Sequence, residues 1–137
     1  MKAISIRQPW TWAILRLGKD VENRTRNIAG DYRGQVVIHA SKKPLPALDE
    51  ARDFILHLTG RLPLSEHPSQ LGAALGVVDL VDVHHADECC GECSPWAMDG
   101  QYHLVLTNPR VFAEPIPYRG ALGLWSFPDD LLPEGVQ

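Results

Sequence analysis

The densest group of chemistry-bearing side chains in this 137-residue chain is Gly18-Lys19-Asp20-Val21-Glu22-Asn23-Arg24. If the segment is extended, residues two apart share a face. Asp20, Glu22 and Arg24 then lie on one side, and Lys19, Val21 and Asn23 on the other. A lysine directly after a helix-stopping glycine can turn back over the space between helix and strand. Lys19 and Glu22 have two readings. As an exposed ion pair they only hold the loop, at under about 1 kcal/mol. Partly buried, they become a proton-transfer pair near neutral pH.

A second candidate site is the entrance to the first helix, Ile6-Arg7-Gln8-Pro9-Trp10. Free N–H groups at a helix start attract anions, and a guanidinium adds bidentate recognition of phosphate. Trp10 belongs to the apolar spacing of that helix and is expected in the core. Trp12 is expected to face away from it and is the better candidate for stacking on a base, with Tyr32 as another. His39, Ser41, Lys42 and Lys43 end a strand. A strand-end histidine is ordinarily a satisfied structural group and the lysines ordinarily solvated, so their functional weight comes from added positive charge.

His84-His85-Ala86-Asp87-Glu88-Cys89-Cys90-Gly91-Glu92-Cys93 invites a metal reading. Cys90 and Cys93 form a CxxC pair that a histidine could complete as a structural zinc site. There is no second pair at ribbon spacing, and Cys89 cannot easily ligate beside its immediate neighbour. The preferred expectation is three reduced, non-ligating thiols and no cofactor. A redox CxxC is disfavoured because no βαβ pattern surrounds it.

The elements that must position these residues follow from periodicity and punctuation. Strands are expected at Met1–Ile6, Gln35–Ala40, Ala73–His84, Tyr102–Thr107, Val111–Tyr118 and Gly120–Phe127, with Asp20–Arg26 extended. Helices are expected at Trp10–Leu17, stopped by Gly18, and at Ala47–Thr59, stopped by Gly60. The second helix should bury Leu48, Ala51, Phe54, Ile55 and Leu58. Asn108–Pro109 reads as a turn, and the prolines after it mark an edge strand. Strands after residue 72 are joined too closely for helical crossovers. The fold class is therefore α+β: a mostly antiparallel, partly closed β-barrel with two helices at its side.

Length and composition set the outer limits. The chain is one domain's worth of sequence, with 45% hydrophobic and 22% charged residues, which excludes disordered, collagen-like and coiled-coil classes. No apolar stretch approaches about 18 residues, and MKAISIRQPW lacks a signal-peptide core, so the expected location is the cytoplasm. The net charge of −4 conceals an asymmetry. Residues 1–43 hold nine Lys/Arg against three acids; residues 44–137 hold four against fourteen. A basic third can present a positive cleft to phosphate even in an acidic protein.

The order of segments carries a resemblance. ISIRQPWTWAILRLGKDVENR, YRGQVVIHASKK, LGVVDLVDV, YHLVLTNP and PIPYRGALGLWSF together resemble the ASCH (activating-signal-cointegrator-1 homology) domain of the PUA-like superfamily, over about residues 3–128. Its most specific motif, GxKxxExR, is matched by Gly18, Lys19, Glu22 and Arg24. The resemblance implies a domain at 1–128 with a tail at 129–137, and a small barrel with a cleft lined by the motif. It implies an RNA- or single-stranded nucleic-acid-binding module, or one that binds a modified nucleoside. The ligand set expected on these grounds is Arg7, Gln8, Trp12, Lys19, Glu22, Arg24, His39, Ser41 and Lys42. Some members resemble hydrolases. One bacterial type deacetylates acetylated cytidine with a lysine, a threonine three residues later and a distant glutamate. Lys19 matches the lysine, but Glu22 stands where the threonine would be, Thr25 is off register, and Asp79, Asp82, Asp87 and Glu88 compete for the distant carboxylate. In the hydrolase alternative, nuclease included, Lys19 and Glu22 are the catalytic pair.

Overall fold

The structure is a computed structural model that describes residues 1–61, 70–89 and 93–136. Six strands form one mixed sheet in the order β2-β5-β4-β3-β1-β6. They are β1 (Lys2–Ile6), β2 (Val21–Arg24), β3 (Gly34–Ala40), β4 (Ala73–His85), β5 (Tyr102–Pro117) and β6 (Leu124–Ser126). Only β1 and β3 run parallel; every other pairing is antiparallel. Helix α1 (Trp10–Arg16) links β1 to β2, and α2 (Leu48–Thr59) follows β3. The sheet curls into a half-barrel. Its curl brings β2 near β1 although three strands separate them in the sheet: Arg24 Nη2 donates to the Ser5 carbonyl at 2.9 Å.

The side-chain alternation of the central strands feeds two cores. On one face Ile4, Ile6, Val36, Ile38, Leu104 and Leu106 pack with Ile14 and Leu15 of α1. On the other, Ala3, Val37 and Phe112 pack with Phe127 and Leu132 from the C-terminal segment. Burial on both faces explains the uninterrupted apolar run Val36–Ile38 at the centre of β3. In β4 the phase reverses: Ala73 and Leu75 face the first core, but so do Val78 and Leu80. The pairing with β5 slips between Ala74 and Gly76, a β-bulge that accounts for the reversal. Gly76 lies where a Cβ would sit 2.5 Å from the Arg110 carbonyl and 2.9 Å from Leu15, so only glycine fits there.

Three expectations are corrected. Asn108–Pro109 is not a turn between two strands. The chain continues as β5, with Asn108 at φ 52° beside a register shift against β4. The proline-bearing half of β5 is still an edge, because β2 pairs only with Tyr102–Val105. The last strand is confined to Leu124–Ser126. In α2 only Ala51 and Ile55 are buried, and Phe54 is 45% exposed. Among the described residues no helix is long and apolar enough to cross a membrane.

Candidate nucleic-acid-binding cleft

The motif segment is shaped by how α1 ends. Gly18 takes φ +75°, and the N–H groups of Leu17 and Lys19 both donate to the Ala13 carbonyl, at 3.0 and 3.1 Å. The chain thereby reverses, and the Lys19 ammonium folds back to the carbonyl of Val21 and to Glu22 Oε1, 3.5 Å away. Glu22 Oε2 accepts from Arg24 Nε at 2.9 Å. Glu22 and Arg24 share a face of β2, as the extended reading requires. Lys19 precedes the strand and reaches that face by turning back. Lys19 is 4% and Glu22 6% exposed, so the exposed-pair reading is set aside. Burial pulls the Lys19 ammonium below its usual proton affinity, and the Glu22 carboxylate opposes that pull. The ammonium also lies 5.4 Å from the centre of the Trp10 ring, a cation–π contact.

Lys19, Glu22 and Arg24 open onto a cleft of about 1530 Å³. Its polar lining among the described residues includes six cations, Arg7, Lys19, Arg24, Lys42, Lys43 and Arg119, against the carboxylates of Glu22 and Glu50. Its apolar wall is a chain of rings. Phe54 of α2 meets Trp10 edge-on at 6.2 Å and Trp96 at 6.0 Å. Asn23 fastens the segment bearing Trp96 to β2: its amide donates to the Trp96 carbonyl at 3.0 Å and accepts from the Met98 N–H at 2.9 Å.

Opposite the rings sits a second polar group. His39 is 1% exposed, and its Nε2 donates to the Tyr118 carbonyl at 2.6 Å. Nδ1 is left as an acceptor for the Ser5 hydroxyl, 3.0 Å away. The Trp125 indole N–H donates to the same Ser5 oxygen at 3.2 Å. Burial lowers the proton affinity of His39, partly offset by the Tyr118 carbonyl, so the ring favours its neutral form.

Of the nine expected ligand-binding residues, the fold brings Arg7, Lys19, Glu22, Arg24, His39, Ser41 and Lys42 to this cleft. Gln8 lies elsewhere: it is 2% exposed, and its side-chain oxygen accepts the Trp12 N–H at 3.1 Å. It supplies the cap that Pro9, the residue at the N-cap, cannot. Trp12 is 7% exposed and does not line the cleft, whereas Trp10 does. The two tryptophans exchange roles: Thr11 through Leu15 are all buried, Trp12 among them, and α1 turns only its last residue, Arg16, out to solvent. Tyr32 packs against the first core and donates its hydroxyl to the Gln35 carbonyl at 2.7 Å. Thr25, Asp79, Asp82, Asp87 and Glu88 are absent from the described lining. Asp79 instead pairs with Arg110 at 3.0 Å, which holds its carboxyl below the usual range.

The sequence reading missed Glu50, Trp96, Met98 and Ser5, and placed Phe54 in the core. Phe54 gave no signal, because its spacing matches the apolar stripe of α2, of which the fold buries only Ala51 and Ile55. Trp96 had none, since it reaches the cleft through contacts distant in sequence. The cysteine expectation also changes. Cys89 and Cys93 are joined in a disulfide, their Cα atoms 5.4 Å apart, where free thiols were expected. A short helical turn, Ala86–Glu88, leads directly into Cys89. Cys90, half of the expected CxxC pair, lies outside the described residues.

A curled six-stranded sheet with two helices and a basic, ring-walled cleft is the architecture of a PUA-like α+β half-barrel. A family model for the ASCH domain matches residues 4–116, most of the chain, and the chain belongs to that family. Nucleic-acid binding is the function this family suggests.

Proposed function

We propose that the cleft binds RNA or another single-stranded nucleic acid, with a base or modified nucleoside against Trp10, Phe54 and Trp96 and phosphates along the cationic rim. The observation that carries this reading is the local excess of charge. A protein of net charge −4 gathers six of its thirteen Lys/Arg around one cleft, against two carboxylates among the described lining residues. Such a surface attracts a polyanion, and the ring wall supplies π faces that any base can use. Lys19 and Glu22 are held too deeply to reach a distant phosphate; they fix Arg24 and Trp10 in place and offer a donor and an acceptor at the cleft floor.

Titration of a short single-stranded RNA at increasing salt tests the proposal. Each neutralised phosphate contributes about −0.7 to the slope of log K against log salt. Three or four contacts therefore predict a slope near −2 to −3, and Lys42→Ala with Lys43→Ala should flatten it by about one unit or more. A folded protein that binds no RNA at low salt, or binds with no salt dependence, refutes the reading.

One observation favours a second reading, a hydrolase acting on an acylated nucleoside. Ser5 and His39 form a hydroxyl–imidazole pair at 3.0 Å with the imidazole oriented by a carbonyl. A neutral His39 can accept the Ser5 proton as the oxygen attacks an acyl carbon. Lys19 and Glu22 remain the alternative proton-transfer pair. Acetate release from acetylated cytidine distinguishes these. Release abolished by Ser5→Ala assigns the serine; release that survives it and falls in Glu22→Gln assigns the Lys19–Glu22 pair. A folded parent that releases none excludes both.

A further inference from the structure

Outside the lining of the cleft, four potential metal ligands converge: His84 at the end of β4, Cys89 and Cys93 in the following loop, and His103 at the start of β5. We propose that, in the reduced protein, these four side chains form a tetrahedral zinc site that clasps the 89–101 connection onto the sheet.

Distances come first. Zinc bonded to imidazole nitrogens at about 2.0–2.1 Å and thiolates at about 2.3 Å sets nitrogens about 3.3 Å apart and nitrogen from sulfur about 3.6 Å. His84 Nε2 and His103 Nδ1 are 3.2 Å apart. His84 Nε2 lies 3.0 Å from Cys89 Sγ and 3.6 Å from Cys93 Sγ, and Cys89 Sγ lies 3.3 Å from His103 Nδ1. All four ligand atoms fall within 4.8 Å of one another. Closing the tetrahedron requires the two sulfurs, bonded to each other here, to separate to about 3.8 Å, and Cys89 Sγ to move out from His84 Nε2 by about 0.6 Å.

The outer atoms of both imidazoles point the same way. His103 Nε2 donates to the Met98 carbonyl at 2.7 Å, which leaves Nδ1 as a bare lone pair in the neutral ring. His84 Nδ1 faces the Asp82 carboxylate at 3.4 Å, which turns Nε2 inward as its lone pair. Two lone pairs at 3.2 Å repel unless a proton or metal cation lies between them, and two sulfurs within reach of the same nitrogen single out the metal. A carbonyl or carboxylate on the far nitrogen is the ordinary support of a metal-bound histidine. The C-x3-C spacing of Cys89 and Cys93 lies within the range used by structural zinc. The loop is also preset for it. The Glu88 carboxylate accepts from the His85 N–H at 2.9 Å, His85 Nδ1 accepts from the Asp87 N–H at 3.1 Å, and the Cys89 N–H donates to the Ala86 carbonyl at 3.1 Å.

The chemistry balances simply. Reduction by a dithiol, itself oxidised to a disulfide, delivers two electrons and two protons to Cys89 and Cys93. Zinc then displaces both thiol protons to form two zinc–thiolate bonds. The chain continues from Cys93 to Trp96 and Met98, which line the cleft, and His103 holds the Met98 carbonyl, so the clasp anchors the segment that forms this wall.

The test uses the full chain, reduced with a phosphine and stripped by chelation under anaerobic conditions. Cobalt(II) is added first and then displaced with zinc(II). The expected result is one cobalt per chain, with the visible bands of a tetrahedral ion and thiolate-to-metal charge transfer, replaced by one zinc. Zinc K-edge absorption of the parent should show two sulfur and two nitrogen neighbours, a readout that needs no variant to fold. Cys89→Ser and Cys93→Ser should each weaken the charge-transfer band and together abolish it, Cys90→Ser should keep it in full, and Asp82→Asn should weaken zinc affinity about tenfold or more. A folded, reduced chain that takes up no stoichiometric cobalt or zinc overturns the site. So does a shell of other composition, or loss of the band in Cys90→Ser with full retention in Cys89→Ser.

Discussion

Replacing Glu22 by glutamine isolates what the buried carboxylate does. The amide keeps the shape and one acceptor but removes the charge. Lys19, whose side chain is 3% exposed, loses its counter-ion at 3.5 Å, and Arg24 loses a charge-assisted hydrogen bond at 2.9 Å. Removing one partner of a buried ion pair costs about 3–5 kcal/mol, because it strands the other charge. The Arg24 side chain is 26% exposed and keeps the Ser5 carbonyl, so its share is under about 1 kcal/mol. The expected loss is near the lower bound, about 3 kcal/mol, or about 10 °C in the melting temperature of a domain this size. The pH dependence follows from Lys19. Burial already lowers its proton affinity, and Glu22 is the strongest influence raising it. Without Glu22 that affinity falls further. Between the two folded-state values the variant binds fewer protons than the parent while the unfolded chains bind the same number, so the stability gap closes as pH rises. Thermal unfolding followed by circular dichroism at about pH 6 and about pH 9 measures this. Adding Lys19→Met should restore stability to the Glu22→Gln protein. A melting temperature lowered by less than about 2 °C at the lower pH, or a double variant less stable than the single, would refute a charge-strained Lys19.

Three further outcomes are expected. Trp12→Ala should cost about 3–5 kcal/mol of stability by emptying a buried site. Trp10→Ala should instead weaken RNA binding by about 5- to 150-fold, the range for losing one stacked base; melting and fluorescence anisotropy separate the two. Burial lowers the His39 proton affinity in the folded state, so folding stability should decline as pH falls through the unfolded value of about 6.5, by up to about 1.4 kcal/mol per pH unit. His39→Gln should lose that acid slope in denaturant titrations across this range. Gly76→Ala should lose about 1–3 kcal/mol by overpacking against the Arg110 carbonyl and Leu15, visible as a lower denaturant midpoint with an unchanged m-value.

Local signals in the chain were enough for the strand-rich α+β architecture and for the motif cluster. Gly18 stops α1, and GxKxxExR places Lys19, Glu22 and Arg24 together, because those contacts span at most a few residues. Readings failed where contacts span the fold. The helical spacing of Trp10, Ala13, Ile14 and Leu17 put Trp12 in solvent, but Thr11 through Leu15 are all buried and only Arg16 is exposed, so the face opposite that stripe is covered as well, which periodicity cannot report. The prolines of Val111–Pro117 correctly marked an edge, yet Asn108–Pro109 proved to be a bulge within one long strand, since a positive φ serves a bulge as well as a turn. His103 gave no sign of its proximity to His84 because strand pairing, not spacing, brings them side by side.

That pairing ties the two sites together physically. β2 is only four residues long, and three of them serve the cleft: Glu22 and Arg24 form the buried charge group with Lys19, while Asn23 clamps Trp96 and Met98 of the wall. Asn23 is directly opposite His103 in the ladder with β5, and His103 in turn holds the Met98 carbonyl. The Trp96–Met98 segment is thus gripped by an amide from β2 and by an imidazole from β5, on adjacent strands. A change that moves His103, such as closing a metal site around it, acts on Met98 through one hydrogen bond and on Trp96 two residues away.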